Sequence, residues 1–156
     1  SRLNCLQWCI LGSGNRGNVP ILQDPIINRR MRIFLIEDDE IYAEFVKKAL
    51  GQNPDYQVNS FFTAEEALKA VNGKLPDVLI IDYKLPGMSG IELYEKIKDK
   101  IGDQTKVIML SALDDGNMVL SFIQKGVRDY VIKDENVIES LEAILSGKED
   151  DYYLFD

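Results

Sequence analysis

From Met31 onward, short apolar runs alternate with longer stretches in which apolar residues recur every three or four positions. The short runs are rich in β-branched residues and too brief for helices, which is typical of strands buried inside a parallel sheet. The longer stretches begin or end at capping residues or glycines, which predicts amphipathic helices. Predicted strands cover residues 32–36, 56–61, 78–81, 106–110 and 127–132, and predicted helices cover residues 40–50, 63–71, 89–100, 114–125 and 135–145.

Five strands that alternate with five helices, through connections short enough for right-handed crossovers, indicate an α/β fold with a doubly wound five-stranded parallel sheet. In the first helix, the apolar stripe Ile41, Phe45, Val46 and Leu50 is expected to face the sheet, and Gly51 to close the helix.

The two ends of the chain differ from this pattern. Residues 1–30 contain a short apolar stretch, a glycine-rich turn region and both cysteines, Cys5 and Cys9. We interpret residues 1–30 as a leader, tag or flexible extension, residues 31–147 as one domain, and residues 148–156 as an acidic tail without periodicity. A signal peptide is the alternative for the first segment, but no small-residue cleavage pattern follows its apolar stretch.

Composition and charge exclude several classes of function. Four basic residues and one acidic residue give residues 1–30 a net charge of +3, whereas 14 basic and 25 acidic residues give the remainder −11. An acidic body argues against a nucleic-acid groove. The absence of histidine excludes Ser-His-Asp and Cys-His nucleophiles and histidine-ligated zinc. A body without cysteine and without a membrane-length apolar run is expected to be a cytoplasmic protein that contacts no membrane.

Polar side chains that follow the predicted strands carry the candidate chemistry. Because the carboxyl ends of parallel strands meet at one edge of a sheet, these side chains should converge there. Their carboxylates would repel one another unless a cation or an ammonium group compensates. Oxygen ligands alone favour Mg²⁺ over a transition metal, and a solvated acidic rim without a ligand is the alternative. The converging residues are Glu37, Asp38, Asp39, Asp82, Ser111 and Lys133.

Four motifs along the chain belong together. In their order and separations, they make residues 31–147 resemble the receiver domain of two-component response regulators. The resemblance implies a flavodoxin-like (βα)5 receiver fold of the single-domain type. The motifs are Ile36-Glu37-Asp38-Asp39, Asp82-x-x-x-Pro86-x-x-x-Gly90, Ser111-Ala112 and Gly126-x-x-Asp129-Tyr130-x-x-Lys133.

The resemblance implies that Asp82 is the phosphoacceptor, which takes a phosphoryl group from the phosphohistidine of a sensor histidine kinase or a histidine phosphotransfer protein. It also implies a Mg²⁺ ion held by Asp38, Asp82 and the backbone carbonyl of Lys84, with Glu37 acting through metal-bound water. Asp39 has a supporting role only. Such a protein is a signalling phosphoacceptor rather than an enzyme, capable at most of self-phosphorylation from a donor and slow autodephosphorylation.

Three further positions complete the family pattern. Lys133 is expected to pair with one phosphoryl oxygen and the Ser111 hydroxyl to donate to another. Tyr130 matches the aromatic switch residue, although a buried strand aromatic is the alternative. A proline usually follows the lysine in the family, often through a cis bond. Here Asp134 follows Lys133, so we expect a trans bond, a shifted ammonium group and Asp134 as the N-cap of the last helix.

The output is expected to be protein docking, because the nine residues after Gly147 are too few for a DNA-binding module. The main rival is a degenerate receiver that binds a partner without phosphorylation. A second rival, an aspartyl-nucleophile phosphatase, usually has another Asp two places after the nucleophile, where this chain has Lys84. Three acidic residues after the first strand would repel the phosphate of a flavin. Candidate docking residues, with core packing as the alternative, are Met118, Val119, Phe122 and Tyr130.

Overall fold

The computed structural model describes residues 29–112 and 116–147. Within these residues, five parallel strands form one sheet in the spatial order β2-β1-β3-β4-β5, which confirms the predicted doubly wound topology. The chain moves from the centre to one side, crosses back past its starting strand, and then builds the other side. The strands are β1 (Met31–Ile36), β2 (Tyr56–Phe61), β3 (Val78–Asp82), β4 (Lys106–Ser111) and β5 (Asp129–Ile132).

Five helices connect and follow the strands in the same described residues. Thr63 caps the second helix and Ser89 caps the third, as the sequence predicts, and each side-chain oxygen accepts a backbone N–H of the first turn. The helices are α1 (Glu40–Gly51), α2 (Ala64–Gly73), α3 (Gly90–Ile101), α4 (Gly116–Lys125) and α5 (Val137–Leu145).

The core lies on both faces of the sheet. Alternation along β1 sends Ile33 and Leu35 to one face, where α1 and α5 pack, and sends Phe34 and Ile36 to the other, where α2, α3 and α4 pack. All five residues of β3 are buried. A strand covered on both sides must be apolar along its length, so an ionisable residue at its end is an exception that needs a reason.

The predicted stripe of α1 is partly wrong. Ala43, Val46 and Leu50 face the sheet, whereas Ile41 is 84% exposed and Phe45 is 50% exposed. A stripe at spacings of three and four runs through the small Ala43, which lets the helix approach the sheet closely. Gly51 is the last helical residue rather than a left-handed cap, since the positive φ values among the described glycines occur elsewhere.

The region around β5 also differs from the prediction. The strand begins at Asp129 rather than at residue 127, and α5 begins at Val137 rather than at residue 135. Asp134 is not the N-cap of α5; its carboxylate accepts the Asn136 N–H at 2.9 Å and forms a turn before the helix. The peptide bond between Lys133 and Asp134 is trans, as expected.

The candidate docking residues of α4 are less exposed than a docking surface would need. Met118 and Phe122 are buried in the core and Val119 is half-buried, so the core alternative holds for Met118 and Phe122. The exposed apolar side chains of this helix are Leu120 and Ile123, which lie on its other face.

The predicted leader, except for Arg29 and Arg30, and the predicted tail lie outside the described residues, so both interpretations stay predictions. In the part of the chain that the structure describes, no helix combines the length and apolar character that crossing a membrane requires.

Candidate functional site

The site is built by the carboxyl ends of four neighbouring strands. Glu37 follows β1, Asp82 ends β3, Ser111 ends β4 and Lys133 follows β5. Parallel pairing of β1 with β3, of β3 with β4 and of β4 with β5 places these ends beside one another. The sheet therefore brings together side chains from distant parts of the sequence, as the order of the predicted strands indicates.

The Lys133 ammonium group is the centre of the site. Its Nζ donates to Glu37 Oε1 at 2.5 Å and lies 3.3 Å from Asp82 Oδ2. Its backbone N–H donates to the Ser111 carbonyl at 2.8 Å, which fixes the start of the loop. The Lys133 side chain thus reaches Asp82 although the peptide bond to Asp134 is trans. The expected displacement of its ammonium group does not occur.

Burial decides the electrostatics of this ion cluster. Glu37 is 1% exposed and Asp82 is 5% exposed. Burial raises the pKa of Glu37 to about 7, although hydrogen bonds from Lys133 and from the Asp39 amide act in the opposite direction. Burial also acts to lower the pKa of Lys133, but its hydrogen bond to Glu37 and the charges of Asp82 and Glu37 outweigh burial and raise it. The lysine is therefore charged at neutral pH.

Three carboxylates lie close enough together to share a cation. Ligand oxygens of Glu37, Asp38 and Asp82 lie within 4.8 Å of one another, and Asp38 is exposed whereas the other two are buried. With all three ionised, one ammonium group leaves the cluster a net charge of −2. Oxygen ligands with excess negative charge fit a hard divalent ion such as Mg²⁺.

Two neighbouring groups organise the carboxylates. The Lys84 N–H donates to Asp82 Oδ1 at 3.3 Å, so the loop after β3 holds one oxygen of the acid while Lys133 faces the other. Asp39 turns away from the acid cluster to cap α1, where its Oδ1 accepts the N–H groups of Ile41 and Tyr42. The supporting role expected for Asp39 is thus a structural one.

The Pro86-x-x-x-Gly90 part of the sequence motif has a steric explanation. The Gly90 N–H donates to the Tyr83 carbonyl at 3.2 Å, which brings the start of α3 against the end of β3. A Cβ at position 90 would overlap the Asp82 carbonyl oxygen and lie 2.9 Å from the Ile81 side chain. Glycine is required there because the helix starts in contact with the backbone of Asp82.

A row of aromatic side chains leads from this loop to β5. The ring centroids of Tyr83 and Phe122 are 5.1 Å apart, and those of Phe122 and Tyr130 are 5.7 Å apart. The central ring belongs to α4 and is buried, and Tyr130 is half-buried. Movement of α4 would therefore have to repack both tyrosines.

Tyr42 is a residue of the site that none of the sequence motifs contains. Its ring centroid lies 4.6 Å from Lys133 Nζ, and its buried hydroxyl has no hydrogen-bond partner within the described residues. The apolar stripe of α1 does not single out this residue. An aromatic residue in the first turn after an acidic strand end is the one feature of the sequence that could have indicated it.

Comparisons with known proteins agree with this geometry. Residues 33–145 match the family model described as the response regulator receiver domain. The chemotaxis protein CheY of Listeria monocytogenes is 33% identical over 114 residues, which cover 69% of this chain and 93% of that protein. The transcriptional regulatory protein DegU of Brevibacillus brevis is 26% identical over 130 residues, which cover 81% of this chain and 55% of that protein.

Solved structures of receiver domains are also similar to this chain. The BeF3-activated receiver domain of DrrB, a Thermotoga maritima protein, matches with a TM-score of 0.64 and 29% identity over 75% of this chain and 98% of that domain. The chain spans about half the length of the transcriptional regulators that it matches, but almost the whole length of CheY.

Proposed function

Because the chain belongs to the receiver domain family of two-component response regulators, we propose that Asp82 accepts a phosphoryl group and that this event switches a protein-docking surface. The observation that carries the proposal is the position of Lys133, whose ammonium group lies between the buried carboxylates of Glu37 and Asp82. A buried carboxylate beside an ammonium group and an acid pair is suited to hold a phosphoryl group.

The transfer needs little from the protein beyond position and charge. A carboxylate oxygen of Asp82 forms the bond to phosphorus while the bond from phosphorus to the donor imidazole breaks. A Mg²⁺ ion bound by Asp38, Asp82 and the Lys84 carbonyl, with Glu37 acting through water, would neutralise charge on the transferred group. Lys133 would then pair with a phosphoryl oxygen.

The proposed switch uses Ser111 and Tyr130. The buried Ser111 hydroxyl would donate to another phosphoryl oxygen, and its movement would let Tyr130 turn inward. The tilted contact between the rings of Tyr130 and Phe122 supports this coupling, since a new position of the Tyr130 ring would displace Phe122 and with it α4. Leu120 and Ile123 would move with the helix and are better candidates for the docking surface than Met118.

The proposed donor is a sensor histidine kinase or a histidine phosphotransfer protein, and the output is a downstream protein rather than nucleic acid or a membrane. The family supports a kinase donor, and the all-oxygen acid cluster supports the use of Mg²⁺. We assign the reaction to the cytoplasm, where ATP-dependent kinases work. The protein would act as a signalling phosphoacceptor with slow autodephosphorylation, not as a turnover enzyme.

The test is incubation with Mg²⁺ and acetyl phosphate, followed by mass spectrometry of the intact protein. Wild type should gain one phosphoryl group, and Asp82→Asn should gain none, because it lacks the attacking carboxylate. Asp77→Asn is the matched control, since Asp77 lies beside the other end of the same strand and should leave phosphorylation unchanged. BeF3⁻ should bind wild type but not Asp82→Asn.

Three results would contradict the proposal. A wild type that neither gains mass nor binds BeF3⁻ in the presence of Mg²⁺ would indicate a degenerate receiver that docks without phosphorylation. An equal mass gain in Asp82→Asn would assign the phosphoryl group to another residue. Fast turnover of phosphomonoesters would indicate a phosphatase instead.

A further inference from the structure

Tyr42 lies beside the site without belonging to the acid cluster. It occupies the first turn of α1, where its backbone N–H donates to Asp39 Oδ1 at 3.2 Å. The Lys133 Nζ lies 4.6 Å from the centroid of its ring, within the range of a cation–π interaction. The contact joins α1 to the loop after β5, so it depends on the tertiary fold.

The ring is held in place by packing rather than by its hydroxyl group. Tyr42 packs against the core cluster on its face of the sheet, and the half-exposed ring of Phe45 lies 5.8 Å away. The Tyr42 hydroxyl is buried and has no hydrogen-bond partner among the described residues, so it lowers stability rather than anchoring the ring. Burial raises the pKa of Tyr42 to about 12, with a further contribution from the charges of Glu37, Asp134 and Asp82, so the hydroxyl stays neutral.

We propose that Tyr42 is a positioning residue, whose ring holds the Lys133 ammonium group beside Asp82. The expected effect of Tyr42 on phosphoryl transfer rests on the proposed function, whereas the contact between its ring and the ammonium group does not. A lysine side chain has four flexible torsions, and its charged end needs a support that limits the directions it can take.

The type of support matters for the reaction. A carboxylate such as Glu37 binds the ammonium group through a directional hydrogen bond, which must change when a phosphoryl oxygen arrives. The face of an aromatic ring attracts the charge without fixing one N–H direction. The Tyr42 ring can therefore support Lys133 while the ammonium group exchanges one oxygen partner for another.

The first test measures the contact without any phosphorylation. The protein is produced with ¹³C-labelled lysine, and the Lys133 Hε–Cε signal is assigned by its loss in Lys133→Arg. The ring current of Tyr42 should shift this signal upfield in wild type and in Tyr42→Phe, but not in Tyr42→Leu. Tyr42→Phe is an informative control, because it keeps the ring and removes a hydroxyl that makes no hydrogen bond within the described residues. An unchanged Lys133 signal in Tyr42→Leu would overturn the inference.

The second test measures the rate of phosphorylation by acetyl phosphate in Mg²⁺. Tyr42→Leu should lower the rate at saturating donor about 3- to 10-fold, the range expected from a cation–π contact, and Tyr42→Phe should restore it. Ile41→Ala controls for changes in α1 that do not touch Lys133, since Ile41 is 84% exposed. Thermal melting checks that all variants are folded.

The outcomes separate the two proposals. A Tyr42→Leu variant that loses the upfield shift but is phosphorylated at the wild-type rate would overturn the positioning role. A wild type that takes up no phosphoryl group would contradict the proposed function, while a ring-dependent Lys133 signal would still support the positioning of the ammonium group.

Discussion

Polar side chains have different partners at the amino edge of the sheet, where the strands begin, and at the carboxyl edge, where the strands end. At the amino edge, Asp77 Oδ2 accepts the Arg32 N–H at 2.8 Å, and the Thr105 hydroxyl donates to the Pro76 carbonyl at 2.7 Å. These side chains connect neighbouring segments through the main chain. At the carboxyl edge, by contrast, buried acids face one another and share the ammonium group of Lys133.

The two ends of strand β3 show this difference between two aspartates. Asp77 precedes the strand and pairs with a backbone N–H of β1, so its carboxylate supports the fold. Asp82 ends the strand in a cluster with more acids than cations, an arrangement that costs stability. The excess charge at the carboxyl edge fits the magnesium ion that we propose there, whereas the polar groups of the amino edge are satisfied by the main chain.

The largest expected effect comes from the close approach that shapes the carboxyl edge. Gly90→Ala would force the start of α3 away from the Asp82 carbonyl, so we expect a loss of about 3 kcal/mol in the free energy of unfolding. Gly73→Ala is the matched control, since a Cβ there meets nothing within 4 Å and replacing a helical glycine should leave stability equal or slightly higher. Urea unfolding measures both, and equal values would mean that the carboxyl edge adapts easily.

The second effect is a dependence of stability on pH. The pKa of Glu37 is raised from 4.5 to about 7, so the folded state binds this proton more tightly than the unfolded state. The stabilisation is complete below pH 4.5 and is lost as the pH rises through 7. Without metal, we expect wild type to be more stable at pH 6 than at pH 8 by about 1–2 kcal/mol.

The chain offers a clean background for that measurement, because it has no histidine to titrate between pH 6 and pH 8. Glu37→Gln should flatten the dependence in chelator-treated protein. Mg²⁺ should stabilise wild type more at pH 8 than at pH 6, since it favours the ionised acids. A wild type that is more stable at pH 8 in chelator would show that Lys133 outweighs the cost of burying Glu37.

The sheet and the convergence at its carboxyl edge could be predicted because both follow from local patterns. β-branched runs fix the strands, and parallel topology then places Glu37, Asp82 and Lys133 together. The buried face of α1 was predicted only in part, since the small Ala43 belongs to the stripe and carries little hydrophobic signal. The contact of Tyr42 with Lys133 joins elements far apart in sequence and needs the folded coordinates.

The smallest effect compares one exposed acid of the carboxyl edge with one acid of the amino edge. Asp77→Ala removes the acceptor for the Arg32 N–H, so we expect a loss of about 1 kcal/mol. Asp38→Asn removes a charge from the crowded cluster and should change the stability of the metal-free protein by less than about 0.5 kcal/mol. Thermal melting with and without Mg²⁺ distinguishes the two acids, because Mg²⁺ should stabilise Asp77→Ala as it does wild type and should have little effect on Asp38→Asn. If both variants lost the same stability in chelator and the same response to Mg²⁺, the contrast between an edge that serves the fold and an edge that serves a ligand would be wrong.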